Sequence, residues 1–183
     1  MESLEAHLLV ASPELLDPNF VKTVILMVQH NEQGALGLVL NRPTSKMVKE
    51  MWKEVGQSPC ESYEPVHLGG PVSGPLMSVH TDTAMAEIEI MPGVYFAARK
   101  KNLDLLVRQH EHAYKIFIGH AGWAAGQLEN EIAAGGWLTT PATAEFILYE
   151  GEDLWDEVSK QIASATLQSM LHIKHVPKDP SMN

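Results

Sequence analysis

Residues 21–29, VKTVILMVQ, constrain the fold most, because Val21, Thr23, Ile25 and Met27 alternate with Val24, Leu26 and Val28 so that one strand is apolar on both faces. Such a strand has to be covered on both sides, which requires a layered domain rather than a sheet with one wet face. Residues 30–34, HNEQG, supply a hairpin loop in which Gly34 can take a positive φ, and 35–40 return as the partner strand. Short apolar runs at 7–11, 66–68, 76–80, 86–90, 94–97 and 115–118 predict further strands, with Glu87 and Glu89 placing one face of 86–90 in water. Helical periodicity predicts helices over 45–55, 102–110, 127–135, 141–148 and 152–170. Thr44 or Ser45 would cap the first, whose buried stripe includes Trp52, and Thr139 or Thr140 the fourth, with Pro141 at its first position. The expected fold class is α/β with α+β character: a mixed, mostly antiparallel sheet of about seven or eight strands carrying about five helices.

The most unusual stretch is 119–138, GHAGWAAGQLENEIAAGGWL, with two tryptophans and five glycines between two expected strands. Gly119, Gly122 and Gly126 let the backbone turn sharply, Gly126 can cap the helix that follows, Leu128 and Ile132 stack one turn apart, and Gly135 stops it. A free helix N-terminus attracts anions, but Glu129 lies in the first turn and is placed to satisfy those amides itself. Glu129 and Glu131 stand two residues apart on a helix, so they point apart and form no catalytic dyad.

At 183 residues one domain spanning 1–183 is expected, and the pattern leaves room for a small subdomain around 46–65 or 81–113. The net charge of −10 opposes the phosphate contacts that DNA binding needs, and the one basic cluster, Arg99-Lys100-Lys101, reads as a solvated helix start. Direct nucleic-acid binding is therefore not expected. No apolar run reaches the length of a membrane span, the acidic N-terminus lacks a signal-peptide pattern, and the single cysteine, Cys60, excludes an intrachain disulfide. A cytoplasmic protein is expected. Cys60 falls in 56–65, GQSPCESYEP, the least ordered-looking stretch, with no partner in sequence to acidify its thiol.

The nine histidines form no zinc-binding spacing: His110 and His112 face different ways near a helix end, and His172 and His175 adjoin a polar tail. His67 and His80, read as lying on neighbouring strands, are near one another only as any two strand residues can be. Ser73 lacks a nucleophile elbow, and neither a dinucleotide fingerprint nor a phosphate loop is present. No cofactor, metal ligand or catalytic residue is expected.

Three blocks in order carry a resemblance: HLLVASPELLDPNFVKTVILMVQHNEQGALGLVLNRP at 7–43, LGGPV at 68–72, and G-x-A-G-W-x-x-G-Q-L-E-x-E from Gly119. Together they resemble the YqgE/AlgH family of bacterial proteins, from about residue 4 to Asn183, with His120 standing where that family often has an aromatic residue such as tyrosine. The family is largely uncharacterised, and some members carry a transcriptional-regulator label. The resemblance implies a non-enzymatic regulatory or interaction protein that uses the loops 69–75 and 119–127 to bind a protein partner or a small molecule. The candidate binding residues are Asn41, Arg42, Gly69, Gly70, Pro71, Gly122, Trp123, Gly126, Gln127 and Glu129. In the alternative, a sensor or enzyme holds a small ligand in a pocket lined by those loops. An exposed flat patch around Trp123 would favour the first, a concave site with convergent polar groups the second, and a basic stripe a DNA-binding regulator.

Overall fold

The computed structural model describes residues 3–55 and 58–171. Its strands are β1 (His7–Ala11), β2 (Val24–Asn31), β3 (Gly34–Val39), β4 (Pro43–Met47), β5 (Pro65–Leu68), β6 (Met77–His80), β7 (Ile88–Met91), β8 (Val94–Ala97), β9 (Tyr114–Ile118), β10 (Ala121–Ala124) and β11 (Trp137–Pro141). The α-helices are α1 (Val48–Glu54), α2 (Lys100–Leu106), α3 (Gln127–Ala133), α4 (Ala144–Ile147) and α5 (Leu154–Leu171). The strands form two sheets, ordered β10-β3-β2-β1-β11 and β4-β5-β9-β6-β8-β7. Among the described residues only β5 and β9 pair in parallel, so the expected mixed, mostly antiparallel α+β class holds, distributed over two sheets and more strands than the apolar runs alone mark.

Strand β2 shows why two layers are needed. Its Leu26 joins Leu8, Val10 and Leu38 from one sheet and Val79, Phe96 and Phe117 from the other in a shared core, closed by Ile147, Leu154 and Val158 of α4 and α5. Its Ile25 and Met27 face the opposite way, into a cluster with Val39, Trp123, Leu128 and Trp137 under α3. The second sheet is covered on its outer face by α1 and α2, where Trp52, Leu103 and Leu106 pack on Val66 and Ile116. Cys60 is buried in that cluster, and Ser62 nearby is buried as well.

Several boundaries differ from the sequence expectation, each for a tertiary reason. Residues 43–47 are strand, not the start of a helix from 45: Pro43 pairs with His67 and Met47 with Pro65, and the Thr44 hydroxyl donates to the Val66 carbonyl instead of capping. Helix α1 starts after them, and the Glu50 carboxylate accepts the Met47 N–H. Pro141 ends β11, which lies along β1, and the cap of α4 is Thr143, whose hydroxyl oxygen accepts the Phe146 N–H. Helix α2 stops at Leu106, so His110 lies beyond it. Gly119–Gly126 is not all turn: Ala121 and Trp123 point inward and Gly122 and Ala124 outward in β10, paired with β3. His67 and His80 are not on neighbouring strands, because β9 runs between β5 and β6. His172 and His175 lie outside the described residues.

Candidate functional site

The glycine-rich loops do meet. Val72 and His120 exchange both backbone hydrogen bonds at 2.9 Å, and the Gly69 N–H donates to the Ile118 carbonyl at 2.8 Å. Gly70 sits at φ +153°, and a side chain there would run into the His120 backbone, so glycine is what lets the two segments touch. Around them Arg42, Gly70, Pro71 and Gly119 line an open hollow of about 350 Å³. The Arg42 guanidinium donates to the Val21 carbonyl at 3.2 Å and to that of Pro18 at 3.4 Å, which ties the 18–21 turn to this hollow. Asn41 is committed to structure, accepting the Val24 N–H at 2.9 Å and donating to the Lys22 carbonyl at 2.8 Å.

The remaining candidates follow β10 away from the hollow. Gly122 still borders Val72, but Trp123 is 6% exposed and stands edge-on to Trp137, with ring centroids 6.2 Å apart. Both indole N–H groups donate to the same Glu131 oxygen at 2.9 Å, and Gln127 donates to the other. Gln127 in turn accepts the Ala124 N–H. Gly126, at φ +74°, is the N-cap of α3 as expected. Glu129 points the other way: its carboxylate accepts from His30 Nε2 at 3.0 Å. Because His30 Nδ1 accepts the Leu4 N–H, the ring proton must sit on Nε2, so His30 is a neutral donor to Glu129. The Glu129 carboxyl is held below the usual range by its own backbone N–H first and by His30 as well. The two glutamates thus point apart, and the polar groups of Trp123, Gln127, Glu129, Glu131 and Trp137 all have partners within the chain, whereas the buried Nδ1 of His120, beside Gly74, has none among the described residues.

A larger cleft, about 930 Å³, opens between 61–67, 109–115 and 148–154. Asn41 reaches its edge. At its base lie His67 of β5 and Lys115 of β9, which are 7% and 6% exposed. Burial lowers the Lys115 pKa to about 8 against the opposing fields of Glu150 and Glu64, and the ammonium donates to the Tyr149 carbonyl at 2.6 Å. Burial first, and the charge of Lys115 second, lower His67 to about 4, so the imidazole is neutral at pH 7. Its Nδ1 has no hydrogen-bond partner among the described residues. Tyr114, bonded through its hydroxyl to Ser62, is raised by burial, and Tyr149 is raised to about 12 by its hydrogen bond to Asp153.

This cleft can orient a polar molecule through one imidazole, the free donors of one ammonium and a carboxylate-rich wall. Sequence reasoning missed it because its parts come from three separated segments. The available signal was Lys115 itself, a charge inside the apolar strand YKIFI, where an unpaired cation is rarely buried. Among the described residues no three His, Cys, Asp or Glu side chains are grouped to hold a metal ion, and no helix is long and apolar enough to cross a membrane.

Two stacked sheets with helices on their outer faces and a polar cleft opening on the second sheet define an α+β protein of a recognisable kind. The chain belongs to the AlgH-like family, whose profile matches residues 8–166. It is 37% identical to a UPF0301 protein of Chlorobaculum tepidum over 183 residues, covering 96% of this chain and 94% of that one. A UPF0301 protein of Myxococcus xanthus is 39% identical over 161 residues, covering 85% and 89%. The solution structure of the AlgH protein from Pseudomonas aeruginosa superimposes with a TM-score of 0.75 at 28% identity, over 97% of this chain and 96% of that one.

Proposed function

We propose that this AlgH-like protein binds a small polar molecule in the cleft above Lys115 and His67, and that any regulatory role is exercised through that binding. The observation that carries this reading is the meeting, at one concave site, of two buried titratable side chains, Lys115, whose ammonium makes one hydrogen bond, and His67, whose Nδ1 makes none among the described residues. Buried polar groups are normally satisfied, so an orphan lining a cavity is a place where a ligand atom fits. The exposed patch around Trp123 that would favour the interaction reading is missing, since Trp123 is buried. No reaction is assigned. The net charge of −10 argues against direct nucleic-acid binding and hence against the transcriptional-regulator label. A cytoplasmic setting is favoured by the lone, unpaired cysteine, and a single domain over 1–183 by the core the two sheets share.

A thermal-shift screen of the purified protein against metabolites and nucleotides tests the reading. A ligand at a hundred times its dissociation constant raises the midpoint by roughly 5–10 °C, and the rise is expected to vanish in Lys115→Met and in His67→Gln. A shift that survives in both variants would move the site elsewhere, and a panel with no shift would remove the proposal.

A second reading is favoured by one observation. Leu68 and Val72 are 40% and 42% exposed beside Pro71, on the surface that the joined loops create. In this reading Gly69, Gly70, Pro71 and Gly122 shape a docking face for a protein partner, while Gly126, Gln127 and Glu129 hold α3 behind it. Val72→Asp would abolish such docking and leave cleft binding intact.

A further inference from the structure

Resting on the cleft reading above, we infer that the ligand is a small organic cation: an ammonium compound that also carries a hydroxyl or carbonyl oxygen. The charge balance of the wall points this way. Five glutamates line the cleft, at positions 61, 64, 111, 150 and 152, against one lysine and no arginine. That lysine spends one donor on the Tyr149 carbonyl, and its charge is already opposed by the fields of Glu150 and Glu64. An entering anion would therefore meet several carboxylates and one cation whose charge is already opposed, whereas an entering ammonium meets an excess of negative charge.

The aromatic content points the same way. Three of the chain's four tyrosines, Tyr63, Tyr114 and Tyr149, line this one cleft. The hydroxyls of Tyr114 and Tyr149 are taken by Ser62 and Asp153, so what these two offer a ligand is ring surface. Electron-rich ring faces together with carboxylates are the chemistry that recognises alkylammonium groups. The Lys49 ammonium, which does not line the cleft, sits 3.6 Å from the centroid of the Tyr63 ring and takes one of its faces, so the rings of Tyr114 and Tyr149 carry this part of the argument.

An acidic wall alone would be only a solvated surface. The independent observation is His67, 93% buried by its 7% exposure, whose Nδ1 lacks any partner among the described residues. Neutral imidazole gives a donor at one nitrogen and an acceptor at the other, so His67 is suited to an uncharged oxygen function, with the spare donors of Lys115 beside it. A bare metal ion does not fit, because no three ligating side chains are grouped among the described residues. The geometry thus assigns the oxygen end of the ligand to the base of the cleft and the cationic end to its glutamate and tyrosine wall.

Isothermal titration of the full chain with choline, ethanolamine and putrescine as cationic probes tests this. The comparison probes are 3,3-dimethylbutan-1-ol, which has the shape of choline without its charge, and inorganic phosphate and malonate as anions. The expected result is that at least one ammonium probe binds, that the uncharged isostere binds at least about tenfold more weakly, and that Glu64→Gln/Glu150→Gln loses at least about tenfold affinity while keeping its thermal midpoint. Both glutamates are exposed, so that variant is expected to fold. Equal binding of the isostere, undiminished binding by the variant, or binding of the anions alone would overturn the ligand class and leave the cleft reading standing. Silence toward all ammonium probes would also overturn it. Silence across the wider metabolite panel as well would take the cleft reading with it.

Discussion

The Trp123–Glu131–Trp137 clamp and the Lys115–His67 cleft make opposite use of buried polar chemistry. In the clamp one carboxylate accepts both indole N–H groups and a glutamine N–H, while its neighbour Glu129 accepts a hydrogen bond from His30 Nε2. In the cleft an imidazole nitrogen is left without a partner and a lysine is buried with only one of its donors used. A network closed on itself holds a fold together, whereas open capacity in a cavity is where a ligand can add something. The comparison teaches that the tryptophans of the most distinctive stretch are closed into an internal network, while the unpartnered His67 nitrogen lies at a cleft built from plain residues.

The largest effect should come from breaking the clamp. Glu131→Ala leaves two buried indole donors unsatisfied and removes an ionised acceptor, which should cost about 4 kcal/mol, since hydrogen bonds to charged groups contribute roughly 1.5–3 kcal/mol each and the terms are not additive. Urea unfolding followed by tryptophan fluorescence measures this. If the comparison is right, any folded fraction still binds the cleft ligand. A loss below about 1 kcal/mol would mean that water replaces the carboxylate and that the clamp is ornamental.

The cleft should announce itself through pH instead. The His67 pKa is about 4 in the fold and 6.5 in the free side chain, so between those values the unfolded chain binds the extra proton. Stability therefore falls as pH drops below about 6.5 and stops falling from this source near pH 4, with a ceiling of about 3 kcal/mol. The charge of Lys115 acts on His67 in the same direction. Burial also lowers His80, but that contribution is common to both proteins when wild type is compared with His67→Gln. The variant should show a shallower decline between pH 7 and 4.5, and parallel curves would place His67 in contact with water.

How much of this was legible follows from the same contrast. The β2–β3 hairpin was legible because an apolar strand on both faces has only one physical solution, and Trp52 and Leu128 fell where periodicity put them, in the core. Strand β10 was hidden because its outward positions are Gly122 and Ala124, so the alternation that marks a strand carries no polar residue. Strand β4 and the extent of β11 through Pro141 were hidden because Pro43, Thr44, Thr140 and Pro141 are as suited to a helix start as to a sheet edge, and pairing with β5 and β1 decided between them. The joining of 69–72 to 118–120 and the assembly of the cleft depend on which distant segments meet. Local propensity holds no information about that, and only the buried charge of Lys115 hinted at it.

The smallest effect should come from Glu129, and it separates the two glutamates of α3. Its partner His30 is a neutral donor, because Nδ1 already accepts the Leu4 N–H. A glutamine oxygen can accept that Nε2 proton as well as a carboxylate can, so Glu129→Gln should keep the hydrogen bond and move the thermal midpoint at pH 7 by no more than about 2 °C. The folded-state pKa of Glu129 is depressed, so its charge contributes stability above the ordinary carboxylate pKa and loses it as pH falls through the folded value. The variant should accordingly be slightly less acid-sensitive than wild type between pH 5 and 3. Glu129→Lys would instead set an ammonium against the His30 N–H, two donors facing each other, and should lower the midpoint clearly more than glutamine does. Equal midpoints for the two variants would show that His30 does not need this partner, and the closed character of the clamp region would then rest on Glu131 alone.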